Sequence, residues 1–286
     1  MTMPHELTYH CYGKSRVRLT KVVRKSNVHE LFEIDAQVLL EGDFDAAYTQ
    51  GDNRNVIATD TIKNTVYVVA KENDFDCIER FAVILCRHFL KTYPQAAGAK
   101  VDLAQDAWQR INIDGKPHDH AFTSAGNQKR TCVAKLDRSG QEPEVNSGIR
   151  DLTVLKTTAS EWKDFHSDRY RTLKDTTDRI LASKINATWK YSRENVDYNA
   201  ACCAVWGAIL KTFATAHSLG VQQTIHDMGM AVLDACADVS EISFELPNLH
   251  RIPFNLEPFG LKFENDIFVA TDEPYGLISG TIRRKK

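Results

Sequence analysis

The chain has 286 residues, 43% of them hydrophobic, and a formal net charge of -2. This suffices for two domains of ordinary size with sizeable cores, and charge spread evenly along the chain excludes the basic field that gathers nucleic acid. No apolar run approaches a membrane span and no basic start precedes an apolar leader, so a chain outside membranes and the secretory route is expected.

Near the N-terminus, Tyr12-Gly13-Lys14 leads into a strand marked by Val17 and Leu19. Its expected partner is the strictly alternating run Phe32, Ile34, Ala36, Val38 and Leu40, set against Glu33, Asp35, Gln37 and Glu41. Such alternation gives one buried and one wet face. The stretch from Val56 to Asn64 reads as a short apolar strand entering a helix, with Thr59 and Asp60 both able to cap it. A helix N-terminus also favours anions.

Ile62, Val66, Val69 and Ala70 recur at helical spacing. A second helix is expected over 76–92, where Ile78, Phe81, Leu85, Cys86 and Phe89 form the apolar stripe and Pro94 ends it. Alternating segments follow at Trp108–Ile113 and Thr131–Leu136, and the turn-rich run 137–143 reads as a joint. Beyond it the plan returns. Strands are expected near Leu152–Thr157 and Thr188–Tyr191, helices near 197–217 and 222–236, and strands at Glu241–Leu246 and Ile267–Ala270. Antiparallel strands covered on one face by helices define an α+β architecture in two domains, 1–140 and 141–286.

The seven cysteines (Cys11, Cys77, Cys86, Cys132, Cys202, Cys203, Cys236) are odd in number and include no C-x-x-C pair. They read as buried thiols of a reducing compartment, the cytoplasm. Asn186-Ala187-Thr188 is a sequon that a cytoplasmic chain would leave unmodified. Arg283-Arg284-Lys285-Lys286 reads as a solvated tail, without the Ser-Lys-Leu peroxisomal address. His118-Asp119-His120 has strand parity that suits a metal, but no third ligand is apparent, so no metal site is assigned.

Several short blocks stand in a telling order: Tyr12-Gly13-Lys14, Val56 to Asn64, Ile113-Asp114-Gly115-Lys116-Pro117-His118, Leu152-Thr153-Val154-Leu155-Lys156, Thr176-Thr177-Asp178-Arg179-Ile180-Leu181 and Leu246-Pro247-Asn248-Leu249-His250. Together they resemble urate oxidase (uricase) in matching order along nearly the whole chain. The resemblance implies two tandem tunnelling-fold domains per chain. It also implies a homotetramer that closes the sheets into a tunnel-shaped barrel and thereby removes their exposed edges.

The same resemblance implies a cofactor-free oxidation of urate by dioxygen to 5-hydroxyisourate and hydrogen peroxide, in purine catabolism. Lys14 and Thr59 become the catalytic pair, with His250 moving protons to and from it. A lysine in a low-dielectric site can act as a base, and a threonine hydroxyl can pass its proton. Asp60 supports them and borders the substrate. Asn248, of the same alternation parity as His250, is implied to hold water or dioxygen over the purine plane. Taken alone, it also fits an ordinary Pro-Asn turn.

Arg179 taken alone reads as a charge on a helix surface. Within the resemblance, its guanidinium fork matches the carbonyl and ring-nitrogen edge of urate. Gln222, at a helix start, donates and accepts along the opposite edge, and Val221 offers its backbone N–H. Trp162 falls where uricases place a stacking Phe, and Phe165 falls at a second family aromatic assigned to the core. The clamp and stacking residues of one subunit are implied to face Lys14, Thr59 and Asp60 of another. Two other readings are compatible with the residues: another tunnelling-fold enzyme acting on a pterin or purine with zinc, and a purine-binding protein without turnover.

Overall fold

The computed structural model describes residues 5–140 and 142–285. The chain divides into two compact units, one ending at Ser147 and the other beginning at Gly148. Both are α+β.

The first unit contains β1 (Tyr12–Val23), β2 (Glu30–Gly42), α1 (Asp45–Thr49), α2 (Thr59–Glu72), α3 (Ile78–Thr92), β3 (Ala96–Ile113) and β4 (Lys116–Asp137). Its strands pair antiparallel in the order β1-β2-β3-β4, with the three helices between β2 and β3. The alternating residues of β2 enter the core as the pleat requires: Ile34, Ala36, Val38 and Leu40 are all buried. Against them pack Ile62, Val66 and Val69 of α2 and Phe81, Leu85 and Phe89 of α3. Removing these helical stripes from water holds both helices on one face of the sheet.

Two details of this unit matter for Lys14. A Cβ at Gly13 would lie 1.8 Å from the carbonyl oxygen of Val38, so only glycine permits the close approach of β1 to β2 there. Immediately after Lys14 the register shifts in a bulge, with Arg16 at φ 60°.

The second unit contains most of β5 (Glu144–Lys156), then β6 (Leu181–Tyr191), α4 (Tyr198–Thr215), α5 (Val221–Ala235), β7 (Val239–Pro247), β8 (His250–Pro253), β9 (Phe268–Thr271) and β10 (Leu277–Arg283). Its main strands run in the order β5-β6-β7-β10, while β8 and β9 form a separate two-stranded ribbon. The core joins Ile185 and Trp189 of β6, Ile242 and Phe244 of β7, Ile209 of α4, and Ile225, Met228 and Val232 of α5. Asp197 caps α4 by accepting a hydrogen bond from the N–H of Ala200 at 3.0 Å.

Several expectations are corrected. Val56 and Ile57 are not a strand, and Thr59 and Asp60 do not cap α2. Ala58 is the N-cap, without a side-chain bond, and Thr59 is the first helical residue. The Asp60 carboxylate turns instead to Lys63 and Asn64, one turn along the helix. The strand Ile267–Ala270 joins β8 rather than the main sheet; the strand beside β7 is β10, at Leu277–Arg283.

The basic C-terminus is not simply a solvated tail. Arg283 pairs with Glu241 in the sheet, and the Arg284 guanidinium donates to the carbonyls of Leu233, Cys236 and Val239 near the end of α5. Lys286 lies outside the described residues. Cys203 is exposed and Cys11 half-buried, unlike the other five thiols, because Cys203 sits on the solvent side of α4. No helix among the described residues is long and apolar enough to cross a membrane.

Candidate active site

In the first unit, the entrance of β1 and the start of α2 are tied together. The backbone N–H of Ile57 donates to the Tyr12 hydroxyl oxygen at 2.8 Å, which brings the segment before Thr59 against the one before Lys14. Lys14 is half-buried, while Thr59 and Asp60 are exposed. The hydrogen bond and charge of Lys63 hold the Asp60 carboxyl below the usual carboxylate range, and Asn64 and the Lys14 charge act in the same direction. Lys14, Thr59 and Asp60 therefore occupy one neighbourhood.

In the second unit, a pocket of about 470 Å³ is lined by Trp162, Arg179, Val221, Gln222, Asn248 and His250. These are all six residues expected from that half of the chain. They come from four places. Trp162 and Arg179 lie in the long connection between β5 and β6, Val221 and Gln222 open α5, Asn248 follows β7, and His250 starts β8.

Backbone bonds gather these segments. Trp162 and Thr176 exchange N–H···O bonds of 2.8 and 2.9 Å, and Arg179 N–H donates to the Ser160 carbonyl at 2.8 Å. Glu161 N–H donates to the Ser218 carbonyl at 2.8 Å, fixing the same connection beside the turn that precedes α5. Asn248 is held by its N–H on the Gly276 carbonyl at 2.9 Å and by a bridge to Ser183. Arg179 is thus on an extended connection, not on a helix. Asn248 and His250 do not share one continuous strand, since β7 ends at Pro247 and β8 begins at His250. They meet at the pocket because the chain passes from one sheet to the other.

The side chains suit a flat, polar ligand. The Arg179 guanidinium carbon lies 5.8 Å from the centre of the Trp162 ring, within cation–π range. Burial lowers the Arg179 pKa from its ordinary value, yet guanidinium remains the charged form at neutral pH. Two buried polar atoms at this pocket, Arg179 Nε and Asn248 Oδ1, have no hydrogen-bond partner among the described residues. One is a donor and the other an acceptor, and leaving such groups unmet costs about 1–3 kcal/mol each.

Phe165 departs from its expected place in the core. It is only half-buried and stacks on Trp162, with ring centres 5.4 Å apart and planes 12° from parallel. Thr176, Asp178 and Ile278 also line the pocket and were not picked out from the sequence. The first two stand in the block that drew attention to Arg179; Ile278 gave no signal, because the strand carrying it was not anticipated. The rings of His118 and His120 are 4.6 Å apart. His118 Nδ1 accepts from the backbone N–H groups of His120 and Ala121 at 3.3 and 3.1 Å. Among the described residues, no group of three His, Cys, Asp or Glu side chains could hold a metal ion.

These features define a class: a two-unit α+β protein whose second unit presents an aromatic face, a guanidinium fork and amide groups around one pocket. Comparison with known proteins specifies the family. The Uricase family model matches residues 10–135 and 145–279. The uricase of Arthrobacter globiformis is 44% identical over 274 residues, covering 96% of this chain and 88% of that one. The uricase of Cyberlindnera jadinii is 37% identical over 300 residues, covering 99% of each. The crystal structure of the Arthrobacter globiformis uricase superposes with a TM-score of 0.92 at 43% identity, covering 99% of this chain and 96% of that one. The chain belongs to the uricase family and is an oxidoreductase.

Proposed function

We propose that this chain is a urate oxidase that converts urate, dioxygen and water to 5-hydroxyisourate and hydrogen peroxide, without a cofactor, in purine breakdown in the cytoplasm. Urate oxidation follows from the family; the products, the residue roles and the setting are our reading. The observation that carries it is the pocket of the second unit, which Trp162 lines together with Arg179 and Asn248, whose buried Nε and Oδ1 have no partner among the described residues. A planar purine with acceptors on one edge can lie against the indole and meet the guanidinium with that edge. Gln222 and the N–H of Val221 then hold the opposite edge.

In this reading the substrate supplies two electrons to dioxygen, which leaves as hydrogen peroxide, and water supplies the oxygen of the new hydroxyl. The protein orients, deprotonates and excludes bulk water. Lys14 takes the proton through the Thr59 hydroxyl, His250 moves protons to and from this pair, and Asn248 holds the oxygen species above the ring. Asp60, held by Lys63 and Asn64, borders the substrate beside Thr59.

Each chain comprises two tandem tunnelling-fold domains joined near the turn-rich segment, and four chains assemble. Lys14, Thr59 and Asp60 of one subunit complete the pocket of another. The edge strands β1 and β10, each bonded to a single neighbour among the described strands, support assembly, because unpaired edges seek partners. The test is direct: add urate to the purified protein in air and measure peroxide and oxygen uptake. One peroxide per urate consumed is expected; no peroxide overturns the reading.

A further inference from the structure

The stacking residue Trp162 stands in a connection of irregular backbone between β5 and β6. The bonds to Thr176 fix its main chain, but main-chain bonds leave the two side-chain torsions free. Something else must set the plane of the indole.

Two contacts touch the indole, and a third backs one of them. Phe165 lies against the indole almost parallel, at 5.4 Å and 12°. The Arg171 guanidinium carbon lies 4.0 Å from the centre of the Phe165 ring. Arg171 is itself anchored: it donates to Asp175 at 2.6 Å, to the Leu173 carbonyl at 3.1 Å and to the carbonyl of Phe165 at 3.3 Å. The outer edge of the indole rests on Gly220, where a Cβ would come within 2.8 Å of Trp162 Cζ3 and 3.2 Å of Cε3. Gly220 is also the N-cap of α5, directly before Val221 and Gln222. Its φ of 164° is ordinary extended backbone, so the need for glycine there is the space that the indole takes.

We propose that Phe165, braced by Arg171, and Gly220 are positioning residues that set the plane of Trp162 and couple it to the start of α5. This goes beyond the proposed function and rests on its reading of Trp162 as the stacking residue. The cation–π contact of Arg171 with Phe165 and the stack of Phe165 on Trp162 orient these rings through their quadrupoles. A purine lying on Trp162 then meets Val221 and Gln222 at a separation fixed by the contact of the indole with Gly220. The contact is made by the six-membered ring of the indole.

The test compares Phe165→Leu, Phe165→Tyr and Gly220→Ala with the parent protein, each measured for kcat and KM with urate and for binding of an unreactive purine analogue by titration calorimetry. Phe165→Leu is expected to raise KM and the analogue Kd roughly three- to tenfold, the scale of an aromatic pair, with kcat changed less. Phe165→Tyr keeps the stack and should restore both. Gly220→Ala should weaken analogue binding, and adding Trp162→Phe should remove most of that further loss, because the smaller ring clears the new methyl. Should Phe165→Leu fail to fold, Arg171→Gln and the Gly220 pair carry the same comparison. Unchanged KM and Kd, or Phe165→Tyr as damaging as Phe165→Leu, overturns the proposal. A parent protein that neither oxidises urate nor binds the analogue instead overturns the functional reading beneath it.

Discussion

The Tyr12 hydroxyl accepts the N–H of Ile57 at 2.8 Å, and this bond connects the entrance of β1, which carries Lys14, to the start of α2, which carries Thr59. Burial raises the Tyr12 pKa and the Ile57 hydrogen bond lowers it, with burial the larger influence, so the hydroxyl stays protonated at neutral pH. Tyr12→Phe removes the acceptor and leaves the Ile57 N–H unmet, at a cost of about 1 kcal/mol. Thermal unfolding should shift modestly, while turnover falls by a larger factor because Thr59 loses its fixed distance from Lys14. A variant with lowered stability and parental turnover would show that the tie serves the fold alone.

Lys14→Met and Thr59→Ala should each reduce kcat far more than they weaken binding of an unreactive analogue. Both residues are assigned to proton transfer, and loss of a positioned acid or base costs about 10² to 10⁴ in rate. The comparison of kcat with analogue Kd checks it. Near-parental turnover in Lys14→Met would remove the relay.

Arg179→Lys should behave as a binding variant. Lysine keeps the charge but not the two-pronged geometry, so analogue affinity should drop by about 1.5–3 kcal/mol, the scale of a hydrogen bond to a charged group. Titration calorimetry reads this directly. Equal affinity would mean that Arg179 does not hold the ligand edge.

Chelators should leave activity intact, and the active protein should carry no stoichiometric metal by elemental analysis. His118 and His120 supply two imidazoles on β4, and His118 Nδ1 is engaged with the backbone; a zinc site needs three or four ligands. Activity lost on chelation and restored by one metal would favour a zinc enzyme of the same architecture instead.

Much of the fold is legible in the sequence where burial follows a simple period. The alternation in β2 and the apolar stripe of α3 locate both elements closely, because one face of each meets the core. The long hairpin of β3 and β4 is only partly legible. Its inner end is rich in alanine, although Ala99, Val101 and Leu103 alternate with Lys100 and Asp102, and its middle is polar, so the full length of the two strands does not show as one alternating run. A turn signal was present, since Asp114-Gly115 adopts φ values of 51° and 78° between the paired residues Ile113 and Lys116, as a two-residue hairpin turn requires. The pocket was legible through short blocks, not through periodicity. Arg179, Asn248 and His250 are brought together by irregular connections and a change of sheet, which no local pattern encodes. The stack of Phe165 on Trp162 depends on packing that local sequence does not encode, and an aromatic residue by itself reads as core.

In the proposed assembly, a working site joins Lys14 and Thr59 of one subunit to the Trp162, Arg179 and Gln222 pocket of another. A Thr59→Ala chain and an Arg179→Ala chain should each be nearly inactive alone. Unfolded together and refolded as mixed oligomers, some interfaces pair the intact half of each chain, and those sites hold every required group. Urate-dependent peroxide production should then reappear, and only after subunit exchange, because oligomers mixed without dissociation still contain only damaged sites. Verified mixed oligomers no more active than their parents would contradict the shared site and require each chain to build its own.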